Sequence, residues 1–389
     1  MTEKRIFLDL TLSVLKFKEN AFGVLRVERE IAKALLQQST PVGFFAYSNT
    51  TKTFHDIDRC SAAAVVGLDN PPANLPDAAI TTQARLTPRH GDILIVAGYL
   101  WDWNYLEEIQ KLKTTTSFEF IAIVYDIIPL LYPEFAFPGL FEIYRSYIHG
   151  LSECADTLYS ISRATSKDVM QYLRADNRRV PTIRHIRLGS DVVSKNENAL
   201  SPSLDQFPPG PFVLCVCTIE PRKNHALLFN IWRRLYDTNR EQLIPLVIVG
   251  KIGFNTDDLL RMINQCGRLY PQYIKVYCKT TDSDLAWLYQ NCLFSIYPSY
   301  YEGWGLPIAE SLAYGKVCLA SDSSSMTEIA PGLVELINPL DTLGWIDKVR
   351  QYLLNPDIIR QREELIKTQY SPTRWEESTK EFLMSVIQE

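Results

Sequence analysis

The chain has 389 residues, 46% of them hydrophobic, with a formal net charge of −5. That length suggests two domains, each with enough apolar residues for its own core. Mild acidity without a basic tail or stripe argues against nucleic acid as a main partner.

In chain order, strands are expected at residues 5–10, 42–47, 92–97, 118–125, 157–162 and 183–188. Helical patterns lie between several of them, at 23–37, 105–112, 139–152 and 163–173. Alternating strands and helices argue for a parallel sheet covered on both faces. Residues 51–91, with Pro71, Pro72, Pro76 and Pro88, fit neither pattern and are unplaced. Residues 193–210 are polar and proline-rich without periodicity, and read as a linker. The domains are therefore set at 1–195 and 211–370, with the linker at 196–210. The second half repeats the theme, with strands at 212–219, 245–250, 274–278, 293–298, 317–321 and 334–337. Its helices are expected at 226–236, 257–266, 284–291, 308–314 and 343–354. A last helix, 371–389, has Ser371 as its cap and Pro372 in its first turn. No apolar run reaches transmembrane length, and residues 1–9 lack the apolar region of a signal peptide. The eight cysteines are scattered. Cys215 and Cys217 form a C-x-C inside a strand with no second pair at zinc spacing, so free thiols in a reducing cytoplasm are expected.

The most informative segment runs from Ser299 to Glu310. Glu302 and Glu310 bracket Gly303-Trp304-Gly305-Leu306-Pro307, between a strand and a helix. The glycines allow a tight bend and close approach of a ligand to the amides. Pro307 suits a first helical turn, and a helix N-terminus favours anionic or hydroxyl-rich ligands. Both carboxylates can then flank one small ligand; the bland alternative is a solvated helix face. A second segment, residues 211–219, is a near-continuous apolar strand ending in Glu220-Pro221-Arg222-Lys223-Asn224. Arg222 and Lys223 thus stand at the carboxyl end of a strand, where α/β sheets bind ligands. A guanidinium beside an ammonium suits a diphosphate, although most such pairs are solvated loops.

In the first half, Gly23 opens an amphipathic helix where backbone amides can reach a phosphate, or where a glycine is merely convenient. Asp126 follows a buried strand, ahead of Pro129 and Pro133, as an active-site carboxylate or a turn former. Asp56-Ile57-Asp58 lies in the irregular stretch away from any strand end. Asp282-Ser283-Asp284 precedes a helix and reads as a cap. The five histidines show no metal spacing, and no metal site is expected.

The two segments Glu302-x7-Glu310 and Glu220–Asn224 resemble retaining glycosyltransferase family 4. The likeness covers residues 210–389 well and 1–190 more loosely. It implies the α/β GT-B fold, two Rossmann-like domains facing a cleft, with the last helix returning to the first domain. It also implies a nucleotide-sugar donor bound by Gly23, Arg222, Lys223, Gly303, Trp304, Gly305, Leu306 and Glu310, the last through the ribose. Glu302, Asp126, Arg222 and Lys223 become the catalytic candidates. Tyr125 stands where many members carry a histidine. The resemblance further implies transfer without a metal or other cofactor. The leaning is to mannosyl transfer from GDP-mannose onto a glycan or lipid-linked glycan in surface polysaccharide, such as lipopolysaccharide. The expected location is the cytoplasm, at most peripheral to the inner face of its membrane. A dinucleotide-dependent epimerase or oxidoreductase would need G-x-G-x-x-G, which Gly303-Trp304-Gly305 fails to complete at Ile308. A non-catalytic sugar-nucleotide-binding protein stays open as the rival.

Overall fold

The computed structural model describes residues 4–19, 23–37, 41–68, 83–99, 101, 104–190 and 207–387. The chain divides into two compact units. One comprises Met1–Pro133, Pro138–Gly189 and Thr373–Glu389, the other Glu134–Phe137 and Ser190–Pro372. Most of the expected linker, residues 196–206, lies outside the described residues.

The first unit holds a seven-stranded sheet: β1 (Ile6–Asp9), β2 (Val42–Ser48), β3 (Thr53–Ile57), β4 (Ile93–Val96), β5 (Glu119–Val124), β6 (Thr157–Ser160) and β7 (Thr182–His185). Their spatial order is β3-β2-β1-β4-β5-β6-β7. Every neighbouring pair is parallel except β2 and β3, which form an antiparallel hairpin. Strands such as β4 (Ile-Leu-Ile-Val) are buried along their whole length, as a sheet covered on both faces requires. β3 corrects the reading of residues 51–91 as irregular. Its Thr-Phe-His-Asp-Ile run is half polar, yet Phe54 pairs with Tyr47 and Ile57 with Phe44. Asp58 follows β3 directly and caps the helix Arg59–Val65, accepting from the Ser61 amide at 2.9 Å. It therefore does stand at a strand end, in a structural role.

The last helix, Trp375–Ile387, packs on the helix Gly23–Gln37 within this unit. It begins after Ser371 and Pro372 rather than on them. Trp375 is buried against Gly189, where an added Cβ would meet its ring at 2.5 Å.

The second unit holds a six-stranded, wholly parallel sheet: β8 (Val213–Val216), β9 (Leu246–Val249), β10 (Ile274–Tyr277), β11 (Phe294–Tyr297), β12 (Cys318–Ser321) and β13 (Glu335–Ile337). The order is β10-β9-β8-β11-β12-β13, the doubly wound order of a dinucleotide-binding sheet. Helices at His225–Asn239, Asp257–Gln265, Asp282–Asn291, Leu306–Ala313 and Thr342–Leu354 match the expected ones within a few residues. A further helix, Pro356–Gln369, was not anticipated; Pro356 occupies its first turn. The cap of Asp282–Asn291 is Thr281, and Asp284 supplies the reciprocal bond of a capping box. Fully buried Trp232, Trp345 and Phe294 anchor the core. At Gly250, just past β9, a Cβ would lie 1.9 Å from the Cys217 carbonyl oxygen. Only glycine lets these two strand ends close together there.

Candidate functional site

In the second unit the strand order reverses between β8 and β11, so the loops leaving these strands diverge and open a crevice at their carboxyl ends. The loop after β8 carries the 3₁₀ turn Pro221–Lys223, and the loop after β11 carries Glu302. Topology therefore brings together charges 79 residues apart in sequence. Arg222 Nη1 lies 2.8 Å from Glu302 Oε2, and Lys223 Nζ lies 2.5 Å from Oε1. Tyr297 donates its hydroxyl proton to Oε1 at 3.0 Å and accepts from Lys223 Nζ at 2.8 Å. Arg222 Nη2 also meets Glu220 at 2.7 Å, and Nη1 donates to the Tyr301 carbonyl at 2.7 Å.

Glu302 and Lys223 are buried, 7% and 8% exposed. Burial by itself would raise the carboxyl pKa. The Arg222 guanidinium and then the Lys223 ammonium overturn that and hold it at about 2. Glu302 is thus a fixed anion between two fixed cations. Burial and the neighbouring Glu302 push the Tyr297 phenol well above its ordinary range, so it serves as a neutral donor.

The loop is tied from a third strand end as well. The Glu302 amide donates to Ser324 Oγ at 2.9 Å, and Ser325 Oγ donates to the carbonyls of Glu302 and Trp304, each at 2.8 Å. Of the two glycines, only Gly305 needs its freedom: its φ is +121°. It opens the helix Leu306–Ala313, with Pro307 in the first turn as expected. Glu310 lies on that helix, 4% exposed, and accepts from the Tyr289 hydroxyl at 2.9 Å. Gly303, Trp304 and Leu306 line the same turn between strand and helix. Glu302 and Glu310 are both buried, but they meet different partners.

Asn224 was read only as part of a string. It adopts a left-handed conformation, φ +58°, closes the 3₁₀ turn and starts the helix His225–Asn239. Asparagine tolerates that conformation better than other side chains with a Cβ. Tyr297, Tyr289, Ser324 and Ser325 escaped the sequence reading because no spacing rule marks a tyrosine that ends a strand, a tyrosine inside a helix or a serine run.

In the first unit, Asp126 follows β5 and its Oδ1 accepts from the Ile128 amide at 2.9 Å. This is the local turn geometry offered as one of its two readings. Tyr125 donates its hydroxyl to the Ala97 carbonyl, and burial raises its pKa well above the usual phenol value. Gly23 is the first residue of its helix and has φ +54°. The order of this sheet reverses between β1 and β4, and there the sequence reading missed a buried acid pair. Asp9 ends β1, bonded by the Thr11 hydroxyl at 2.5 Å. Glu28 accepts from the Ser13 amide at 2.7 Å, and its other oxygen sits against Gly98, where an added Cβ would lie 2.4 Å away. Burial raises Asp9 to about 7, and burial followed by the charge of Asp9 raises Glu28 to about 8.

Residues 197–371 match the family model of glycosyl transferases group 1. The matched stretch contains the whole Arg222–Lys223–Glu302 cluster and Glu310. Two Escherichia coli proteins are similar in sequence. One is a serotype-specific mannosyltransferase, WbdA, 29% identical over 227 residues, 57% of this chain and 27% of the relative. The other is O-antigen chain mannosyltransferase B, 25% identical over 58% of this chain and 59% of the relative. The chain thus spans about a quarter to three-fifths of the length of these curated relatives. Among solved structures, sucrose-phosphate synthase from Thermosynechococcus elongatus aligns with TM-score 0.67 at 17% identity, covering 99% of both chains. HepE of Anabaena, solved in complex with UDP-glucose, aligns with TM-score 0.66 at 14% identity, covering 100% of both. At such identities the likeness concerns the fold, which is the two-unit Rossmann-like α/β class, GT-B, expected from the sequence.

Proposed function

We propose that this chain is a retaining hexosyltransferase that moves a mannosyl residue from GDP-mannose to a glycan or lipid-linked glycan during surface polysaccharide assembly. The observation that carries this reading is the buried Arg222–Lys223–Glu302 cluster at the order reversal of the second sheet. Two fixed cations at a strand end suit a leaving nucleoside diphosphate, whose charge grows as the bond to the sugar breaks. The family match over residues 197–371 and the mannosyltransferase names of the sequence relatives support the same choice.

In this mechanism Arg222 and Lys223 receive the diphosphate, which competes with Glu302 for them. Glu302 and the amides of residues 303–306 then hold the sugar hydroxyls, while Glu310 accepts from the ribose. The bond from the anomeric carbon to the phosphate oxygen breaks as the acceptor oxygen attacks from the same face. The acceptor proton passes to the departing phosphate oxygen. No separate protein base is needed, which suits a tyrosine at position 125, and no metal is needed because fixed cations stand where one would act. The reaction is placed in the cytoplasm, on an acceptor presented at the inner membrane face. Among the described residues no helix is long and apolar enough to cross a membrane.

Incubation with a panel of nucleotide-sugars and a lipid-linked mannosyl acceptor, read by NMR of the product, tests the proposal. Transfer from GDP-mannose with the donor's anomeric configuration kept is the expected result. An inverted linkage, a different preferred donor, or full dependence on Mg²⁺ or Mn²⁺ overturns the corresponding part of it. Donor binding without turnover on any acceptor would instead favour the non-catalytic rival.

A further inference from the structure

Beneath the Arg222–Lys223 turn lies a cluster that the proposed reaction does not use. Cys215 lies in β8 and Cys217 just past it, two residues on, so their side chains leave the same side of the chain. His225 opens the helix that follows the turn. The two sulfurs are 3.8 Å apart, Cys217 Sγ is 3.4 Å from His225 Nε2, and all three atoms lie within 4.8 Å of one another. All three residues are buried, Cys217 being the most exposed at 8%.

These separations carry chemical information. With Zn–S near 2.3 Å and Zn–N near 2.0–2.1 Å, a tetrahedral ion sets its sulfur–sulfur edge at about 3.8 Å and its sulfur–nitrogen edge at about 3.5 Å. Two edges of the cluster therefore already have the lengths a bound ion would impose. The residue types agree: both cysteines would ligate as thiolates, giving up their protons on binding, as metal ligation demands. Two thiolates neutralise a dication, while the charge of Lys223 is already matched by Glu302. Among the described residues His225 Nδ1 has no hydrogen-bond partner, while Nε2 lies against Cys217 Sγ.

We propose that Cys215, Cys217 and His225 form a three-ligand site for a thiophilic d¹⁰ cation, zinc(II) or copper(I), in the floor of the second unit. Soft thiolates with one imidazole select such ions over magnesium or calcium. This departs from the expectation of no metal site, which weighed the cysteines without the histidine eight residues beyond Cys217. The inference does not depend on which sugar is transferred.

The full-length protein with Cys60→Ser, Cys266→Ser and Cys278→Ser, which removes the cysteines that are not buried, is titrated with Cd²⁺ and with Zn²⁺. One equivalent of Cd²⁺ should give a thiolate charge-transfer band in the ultraviolet, and Zn²⁺ should displace it and raise Tm with its concentration. Adding Cys217→Ser or Cys215→Ser should abolish the band. His225→Gln should weaken binding at least about tenfold, the lower range for disturbing a metal site. Absence of a band in the parental background, or a band that survives loss of both thiols, overturns the proposal. Should Cys217→Ser fail to fold, the Zn²⁺-induced Tm shift of Cys215→Ser against its parent decides the matter.

Discussion

Each sheet buries carboxylates where its strand order reverses, yet the two places are electrostatic opposites. In the second unit Glu302 lies between Arg222 and Lys223 and is held at about 2. In the first, Glu28 faces Asp9 and the two are raised to about 8 and about 7. The Arg29 guanidinium lowers Glu28 only weakly against burial and Asp9, and donates instead to the backbone carbonyls of Lys16 and Glu19. Burial pushes carboxyl groups upward in both units; a nearby cation decides whether the group stays ionised. The same fold position therefore yields a permanent anion in one unit and a proton-holding pair in the other.

The sharpest way to break this contrast is to remove a cation from the second unit. Lys223→Ala removes one of the two cations from a buried carboxylate that Arg222 and Tyr297 still hold, and the lost bond to a charged group should cost about 1.5–3 kcal/mol. Denaturant unfolding should show that loss, and transferase activity should fall with it. Unchanged stability would mean the pair is solvent-screened. Next, the two glutamates should separate kinetically. Glu302→Gln should lower kcat by about 10²-fold, in the range for one transition-state group. Glu310→Gln should mainly raise the donor KM, about tenfold, as for one lost hydrogen bond to a charged group. Matching defects in the two variants would remove the division of labour between them.

The pH dependence of stability separates the units more finely. Glu28 and Asp9 have folded values above the unfolded ones, so the folded chain retains protons that the unfolded chain has released. Their contribution is fully present below about pH 4 and is lost as pH rises toward about 8. The slope should approach about 1.4 kcal/mol per pH unit for one proton. Glu302 has the opposite sign: its contribution is present above its unfolded value of 4.5 and lost as pH falls toward about 2. Chemical denaturation from pH 5 to pH 8 should show the first slope, and Glu28→Gln should reduce it to the share that Asp9 contributes. The smallest effect is steric. Gly98→Ala should cost about 1–3 kcal/mol by overpacking, and much of that should return in a Gly98→Ala, Glu28→Ala double variant. Equal costs in the single variant and on the Glu28→Ala background would mean the clash lies with Leu12 instead.

The second unit was the more legible in sequence. β8 and β9 are uninterrupted apolar runs and β10 to β13 carry one polar residue each, and the Gly305-Leu306-Pro307 turn falls where glycine and proline chemistry puts it. β3 was hidden because His55 and Asp56 break its apolar pattern, and its pairing with β2 is a tertiary fact. The helix Pro356–Gln369 escaped although Asn355-Pro356 is a helix-start signal. Asp9 and Glu28 read as a strand end and one position of an amphipathic helix. Nothing local shows that the helix turns Glu28 inward against Gly98. Contacts such as Glu302 with Lys223 follow from strand order, which no short window contains, although the motifs marked both partners.

The serine ties around Glu302 have a consequence for motion. Ser324 and Ser325 hold the backbone on both sides of this side chain from the end of the adjacent strand β12. Together with the Arg222 carbonyl, which accepts from the Tyr300 amide at 2.9 Å, they splice three strand-end loops into one bracket. A bracket of this kind cannot flex at one loop alone, so the carboxylate keeps its aim through any rearrangement the unit tolerates. Substitutions at Ser324 or Ser325 would loosen that aim while leaving every charge in place.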